Sequence, residues 1–176
     1  MMSQTAIHEN PMRVIKVGKV VLNIGLGKSG EAIERGKQVL EQVTGQKPSQ
    51  RRAKKSIRDF GIHKGEPIGV SVTVRGDSVK GLIEKLLAAR ERKLAASSFD
   101  PRGSVSFGIK EHIEIPGVKY DPAIGILGMN VSVLLERPGY RVARRARRTA
   151  RIGKAHLVSK EESMQYFKEK FGVVIV

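Results

Sequence analysis

An α+β fold is predicted by two regularities of this sequence, with helices packed on one face of an antiparallel or mixed sheet and the other face left open. Several segments alternate between branched apolar residues and small or polar ones, at the period of two that a half-buried strand requires. Other segments carry apolar residues at helical spacing, so each has one face that must pack on another layer. Both patterns are satisfied if the helices cover the apolar side of the sheet.

The first strand shows the alternation most clearly, and the same pattern predicts strands at about residues 15–24, 68–75, 105–110, 129–136 and 173–176. Its apolar face is formed by Val20, Leu22 and Ile24. Its opposite face offers a cation, an amide and bare backbone, which belong to Lys19, Asn23 and Gly25. Two aromatics elsewhere, Phe60 and Phe107, fall at positions that are predicted to face inward.

Three helices are predicted. The first covers residues 31–44, with Ser29 as its N-cap and Gly45 as its stop. The second follows the turn at Gly76 and Asp77, and the third covers residues 161–171.

The remaining segments are predicted from their polarity and charge. Residues 1–11 are expected to be a flexible leader, and residues 12–176 a single domain whose final part, residues 137–176, is basic. Residues 46–55 are interpreted as a linker rich in cations, and residues 57–62 as a hairpin arm that carries charge at its tip.

The charge balance indicates a polyanionic partner. The 176 residues include 33 Lys and Arg against 17 Asp and Glu, which gives a net charge of +16. Nucleic acid is the first candidate and an anionic membrane surface the second. The absence of cysteine excludes disulfides and thiolate metal sites. No apolar run approaches the roughly 20 residues that span a bilayer, and the first residues lack a signal-peptide core, so a cytoplasmic protein is expected.

A glycine-rich turn offers an enzymatic alternative. Gly25, Gly27 and Gly30 spell G-x-G-x-x-G between a strand and a helix, as in a dinucleotide site. Such a site also needs a parallel βαβ unit and an acidic residue about 20 residues further on. The segment at that point, residues 46–52, is basic and contains a proline. The same turn, with Lys28, suits an RNA phosphate equally well.

The open side of the sheet is the better candidate for function. Small side chains let a sugar–phosphate backbone approach closely, and their hydroxyls and amides can bind phosphate and ribose. An ordinary solvated sheet face would carry more Glu and Lys. Aromatic residues make up only 5% of the chain, so RNA shape and backbone are expected to be read more than base identity. A general nucleic-acid packaging protein is a further alternative, and no metal or cofactor is expected because the four histidines show no metal-ligand spacing.

Six segments of the chain also match a known family in order and spacing. They are residues 21–27, 45–48, 53–62, 67–76, 99–109 and 128–133. Through them, residues 12–135 resemble the family of large-subunit ribosomal protein number five, and the short leader and basic C-terminal part are similar to its archaeal-type branch.

The resemblance implies a structural protein without catalytic activity, which binds 5S rRNA in the central protuberance and links it to 23S rRNA beside other 5S-binding ribosomal proteins. The candidate 5S rRNA contacts are Lys19, Asn23, Gly25, Lys28, Gln46, Lys47, Ser71, Thr73 and Arg75. The arm around residues 53–61 is expected to reach P-site tRNA through Lys54, Lys55 and Arg58. The arginine run is assigned to 23S rRNA through Arg144, Arg145, Arg147, Arg148 and Arg151.

Overall fold

Seven strands and three helices are formed in the computed structural model, which describes residues 10–27 and 29–176. The strands are β1 (Lys16–Gly25), β2 (Ser49–Arg52), β3 (Pro67–Val74), β4 (Lys93–Leu94), β5 (Ser104–Ile109), β6 (Met129–Glu136) and β7 (Val174–Ile175). The helices are α1 (Glu31–Thr44), α2 (Ser78–Ala88) and α3 (Lys160–Phe171). The prediction of an α+β fold is confirmed.

Five of the strands form the main sheet, in the order β2-β3-β1-β6-β5. Every neighbouring pair in this sheet is antiparallel. Strand β1 lies at the centre, between β3 and β6, although α1 follows it directly in the chain. The strand that follows α1, β2, pairs with β3 and not with β1, so α1 does not connect two neighbouring parallel strands as it would in a dinucleotide site.

The core lies between one face of this sheet and the helices, with α1 packed on β3 and α2 on β1. Val20, Leu22 and Ile24 are buried there, as the alternation predicts, and so is Phe107. Gly36 allows α1 to approach closely, since a Cβ atom at this position would lie 3.0 Å from side-chain atoms of Leu26 and Val70.

The C-terminal part returns to the same core. Helix α3 begins with a capping box, in which the Ser159 hydroxyl accepts a hydrogen bond from the Glu162 N–H and the Glu162 carboxylate accepts one from the Ser159 N–H. Phe167 is fully buried, and its ring meets that of Phe99 edge to face at 5.8 Å. Strand β7 then pairs in parallel with β4, which makes a second, two-stranded sheet.

Several predicted boundaries are confirmed and two local predictions are wrong. Helix α1 and strand β6 have the predicted bounds, and Gly45 ends α1 in the left-handed conformation. The N-cap of α1 is Gly30, not Ser29, whose hydroxyl instead donates to a Glu66 carboxylate oxygen at 2.7 Å. Residues 46–55 are not merely a linker, because four of them form the edge strand β2.

Candidate nucleic-acid interface

The outward side chains of the main sheet form a continuous surface on the side away from the helices, which we call the open face. One row crosses all five strands, and it consists of Ser49, Ser71, Asn23, Asn130 and Gly108. The next row crosses four strands, and it consists of Thr73, Val21, Ser132 and Ser106. Since neighbouring strands lie about 4.8 Å apart, five strands make a surface about 19 Å wide.

The open face is small, polar and almost free of acid. The hydroxyls of Ser106 and Ser132 lie 3.0 Å apart, and Asn130 stands beside Gly108, so donors and acceptors are closely spaced. Among the described residues at outward strand positions, Glu136 is the one acid, and it forms an ion pair with Arg144 at the end of β6. A sugar–phosphate backbone can therefore approach this face without meeting bulky or negative side chains.

Three predicted 5S rRNA contacts lie in the middle of the open face. Lys19 and Asn23 on β1 and Thr73 on β3 are all half-buried, with their outward sides in contact with solvent. Gly25 ends β1 and is exposed, and a Cβ atom there would meet nothing within 4 Å. The backbone at Gly25 is thus open to a ligand, as the sequence predicts.

Ser71 is an exception, because the prediction placed it at the surface and the structure buries it. Only 2% of Ser71 is exposed. Its hydroxyl accepts a hydrogen bond from Arg51 Nε at 2.5 Å, and its carbonyl oxygen accepts one from the Ser49 hydroxyl at 3.2 Å. The Arg51 side chain lies against the Ser71 hydroxyl, so this serine orients Arg51 on the open face instead of meeting a ligand itself.

Three further predicted contacts lie at the margins of the open face. Gln46 and Lys47 are exposed in the connection between α1 and β2, and Arg75 is exposed directly after β3. Lys28 falls outside the described residues.

The segment between β2 and β3, residues 53–66, forms the predicted arm. Two backbone hydrogen bonds join Ile57 and Ile62 across it, at 2.9 and 3.1 Å. At its base the Ala53 N–H donates to the Glu66 carbonyl at 2.8 Å, and the Gly65 N–H donates to the Ala53 carbonyl at 2.9 Å. The arm is thus an ordered hairpin, held at its base and near its tip.

The arm presents cations and one unexpected aromatic ring. Lys54, Lys55 and Arg58 are exposed, as predicted. Phe60 is 73% exposed, so the prediction that it faces inward is wrong. The reason is local: residues 58–60 form a short 3-10 turn instead of continuing the alternation of a strand, and this turn directs the ring outward.

The carboxylate of Glu66 joins the base of the arm to the glycine-rich turn. It accepts hydrogen bonds from the His63 N–H at 3.0 Å and from the Ser29 hydroxyl at 2.7 Å. The His63 N–H first, and the Ser29 hydroxyl second, hold the pKa of Glu66 below its ordinary value, because both favour the charged carboxylate. We call this pair of bonds the Glu66 bridge.

The predicted arginine run is a loop whose flanking residues are held by hydrogen bonds and an ion pair, and we call these flanking residues its base. The Tyr140 hydroxyl accepts a hydrogen bond from the Val158 N–H at 3.0 Å and donates one to the His156 carbonyl at 3.2 Å. His156 Nε2 lies 2.9 Å from the Pro138 carbonyl oxygen. Arg137 belongs to this base as well, since its buried guanidinium forms an ion pair with Glu162 at 2.6 Å.

All five arginines that the sequence assigned to 23S rRNA are exposed on residues 144–151, which we call the arginine loop. Arg144 is paired with Glu136, and Arg145 Nε donates to the Arg148 carbonyl at 2.7 Å. Arg147, Arg148 and Arg151 form no ion pair with any described residue. Their charges are therefore uncompensated by the described part of the chain.

Within the described residues, no three His, Asp or Glu side chains are grouped so that they could hold a metal ion. The same part of the chain has no helix that combines the length and apolar character needed to cross a membrane.

Sequence reasoning missed two residues of the open face, Ser49 and Arg51. Only four residues form β2, and none of them is apolar, so no alternation marked it. The one available signal was that the segment precedes a hairpin arm and must pair with the strand that follows that arm.

A polar sheet face flanked by cations that no described residue pairs is typical of α+β proteins that bind structured RNA through its backbone. The comparison with known families is specific. The family model described as "Ribosomal protein L5" matches residues 10–63, and a second model, which describes the C-terminal part of the same family, matches residues 67–166. The chain belongs to the ribosomal protein L5 family.

Relatives cover almost the full length of the chain. "Large ribosomal subunit protein uL5" of Nitrosopumilus maritimus is 51% identical over 174 residues, which are 99% of each chain. The protein of the same name from Pyrobaculum aerophilum is 53% identical over 166 residues, 94% of this chain and 93% of the relative. That from Sulfolobus acidocaldarius is 47% identical over 176 residues, 100% of this chain and 99% of the relative. These relatives are archaeal, which confirms the predicted branch, and they carry the name of a ribosomal protein, not of an enzyme.

Proposed function

We propose that this chain is a structural protein of the large ribosomal subunit in the cytoplasm, and that it joins 5S rRNA to 23S rRNA in the central protuberance. In this proposal 5S rRNA lies on the open face, the arm contacts P-site tRNA, and the arginine loop contacts 23S rRNA. Neighbouring 5S-binding ribosomal proteins complete the assembly. Family membership supports the subunit, and the separation of three distinct basic or polar surfaces supports the division of contacts.

The open face carries the proposal. Helices cover one side of the main sheet, while on the other side the members of the two rows other than Ser71 are exposed or half-buried. A folded RNA can rest there because the side chains are short and offer both donors and acceptors. Lys19, Arg51 and Arg75 then supply charge at and around the polar rows.

The experiment compares charge-matched variants in 5S rRNA binding. Asn23→Ala with Arg75→Gln removes one amide and one charge from the proposed site. Gln42→Ala with Arg147→Gln removes the same groups from exposed positions outside the open face, on α1 and on the arginine loop. The first pair is expected to weaken 5S binding by about a hundredfold or more, and the second by less than about threefold, since the first pair removes two hydrogen bonds and each one to a charged group is worth about 1.5–3 kcal/mol.

Equal losses in the two variants would refute the assignment of 5S rRNA to the open face. A competition experiment tests the alternative that this chain is a general packaging protein. An equal mass of bulk duplex DNA should leave the 5S complex intact. If the DNA displaces 5S rRNA, the chain is a general nucleic-acid binder instead.

A further inference from the structure

Phe60 is the most exposed aromatic side chain among the described residues, with 73% of its surface accessible. Ile57 lies in the same turn region of the arm and is 43% exposed. Neither side chain contributes to the core, so their apolar surface has no role in the folded chain alone. An exposed apolar patch held at a defined place marks a contact site.

The arm holds Phe60 in a fixed position. The bridge between Ile57 and Ile62 closes the hairpin just before and just after the 3-10 turn that carries the ring. Gly61 takes φ of 63°, a left-handed conformation, and its N–H donates to the Arg58 carbonyl at 2.9 Å. A second link joins the Lys64 N–H to the Ser56 hydroxyl at 3.0 Å. The ring therefore projects from a closed turn. Because the backbone of this turn is already ordered in the free protein, binding loses little further backbone entropy.

The surroundings of the ring indicate which partner it fits. The exposed cations Lys54, Lys55, Arg58 and Lys64 lie on the same arm, with Asp59 as the one acid of the turn. The apolar patch itself consists of Phe60 and Ile57, an area that one nucleobase covers. A protein partner would need a larger apolar centre with a rim around it. An aromatic ring among cations is instead the arrangement that stacks a base while phosphates are held beside it.

We propose that Phe60 is a stacking platform for a single unpaired nucleobase of an RNA, with Lys54 and Lys55 holding the adjacent phosphates. This inference rests on the proposed contact between the arm and tRNA, and it adds that the arm recognises the face of a base in addition to backbone charge. Because stacking accepts any base, this contact does not read base identity, and the expectation that RNA shape and backbone are read more than base identity stays a prediction.

The first test measures affinity for an unmodified tRNA transcript, with a long, fully paired RNA duplex as the second ligand. Phe60→Ala is expected to weaken tRNA binding about tenfold, because one stacked base contributes about that factor, and to leave duplex binding unchanged. Tyr120→Ala is the matched control, since Tyr120 is another exposed aromatic, at 55%, and it belongs to the connection between β5 and β6 instead of the arm. It should change neither affinity.

The second test uses the absence of tryptophan from the chain. Phe60→Trp creates a single tryptophan, which retains an aromatic face and can be excited apart from the three tyrosines, so it should bind tRNA as the native chain does and lose fluorescence when a base stacks on it. The tRNA should quench it and the duplex should not. Tyr120→Trp supplies the control fluorophore, which neither RNA should quench.

The outcomes separate the inference from the function on which it rests. If Phe60→Ala binds tRNA normally while Lys54→Gln with Lys55→Gln binds it weakly, the arm contacts tRNA by charge alone and the stacking proposal is overturned. If neither variant changes tRNA binding, the assignment of the arm itself fails. Equal losses for tRNA and duplex in Phe60→Ala would also overturn the proposal, since a duplex offers no free base.

Discussion

The open face and the arginine loop are both suited to bind RNA, but through different interactions. The open face is a regular antiparallel surface whose side chains are short, mostly uncharged and fixed by strand register. The arginine loop has no helix or strand in the region of residues 144–151, and its long side chains are exposed. One surface offers defined hydrogen-bonding positions, and the other offers density of charge.

This difference predicts different contributions to RNA binding. Contacts of the two uncharged rows of the open face depend on the exact placement of backbone and short side chains, so they should be sensitive to the core beneath and much less sensitive to salt than the contacts of Lys19, Arg51 and Arg75 around them. Contacts of the arginine loop release counterions from phosphates, so they should be sensitive to salt and tolerant of small movements. Each of the following experiments separates these two behaviours.

The largest effect is expected when the support of the open face is removed. Leu22 is fully buried on β1, between the outward residues Val21 and Asn23. Leu22→Ala should lower the free energy of unfolding by about 3–4 kcal/mol, because it leaves a cavity where the central strand meets the helices. Urea denaturation measures this change directly.

The same variant should weaken 5S rRNA binding at concentrations of urea too low to unfold it, since β1 carries the middle of the open face. Binding of 23S rRNA through the arginine loop should change less under those conditions. Parallel losses for both RNAs would show that the two surfaces are not independent.

A second comparison uses the dependence of affinity on salt. Replacing Arg145, Arg147, Arg148 and Arg151 with Gln should make the slope of log affinity for 23S rRNA against log salt shallower by about 0.7–0.9 for each phosphate that is no longer neutralised. Asn23→Ala with Ser132→Ala removes no charge, so it should lower 5S affinity and leave its salt slope unchanged. Filter binding at several salt concentrations measures both quantities.

If the neutral open-face variant changes the salt slope as much as the arginine variant does, the division between hydrogen bonding and charge is wrong. An unchanged slope in the arginine variant would remove the loop from the 23S interface.

A smaller effect concerns the base from which the arginine loop rises. Tyr140→Phe removes the hydroxyl that joins the buried Val158 N–H to the His156 carbonyl. Since the amide of Val158 is left without its partner, the free energy of unfolding should fall by about 1–2 kcal/mol. Amide hydrogen exchange should become faster at Val158 and stay unchanged at Leu22, and acceleration at both sites would mean that the base and the sheet open together.

The sequence predicted those elements whose pattern repeats over many residues. Helix α1 and strand β6 have the predicted bounds because their apolar residues recur at a constant period and Gly45 ends the helix. Strand β2 could not be found in this way, since all four of its residues are polar and exposed and only its partner β3 makes it a strand.

The prediction of individual site residues failed where tertiary contacts override the local pattern. The alternation along β3 places Ser71 on the open face, yet the Arg51 side chain covers it. The alternation along residues 57–62 predicts that Phe60 faces inward, yet a 3-10 turn directs it to solvent. Both errors arose near β2 and the arm, where the period of two is interrupted and a residue's place in the alternation no longer indicates which face it lies on.

The smallest expected effect is a pH dependence of the Glu66 bridge. The His63 N–H and the Ser29 hydroxyl lower the pKa of Glu66 from its ordinary value of 4.5 in the folded chain. A lowered carboxyl pKa stabilises the bridge fully above pH 4.5, and this stabilisation is lost as the pH falls through the folded pKa. The side-chain carboxyl carbon resonance of Glu66, followed from neutral to acid pH, should therefore have its titration midpoint below pH 4.5.

Ser29→Ala provides the comparison, since it removes one of the two donors to the carboxylate and should raise that midpoint toward the ordinary value of 4.5. Because Glu66 is only partly buried, the effect on global unfolding should be too small to measure, and the change should be confined to the arm and the glycine-rich turn. A midpoint that is the same in the native chain and in Ser29→Ala would mean that the Ser29 hydroxyl does not hold the carboxylate, and the arm would then be positioned independently of the turn that follows β1.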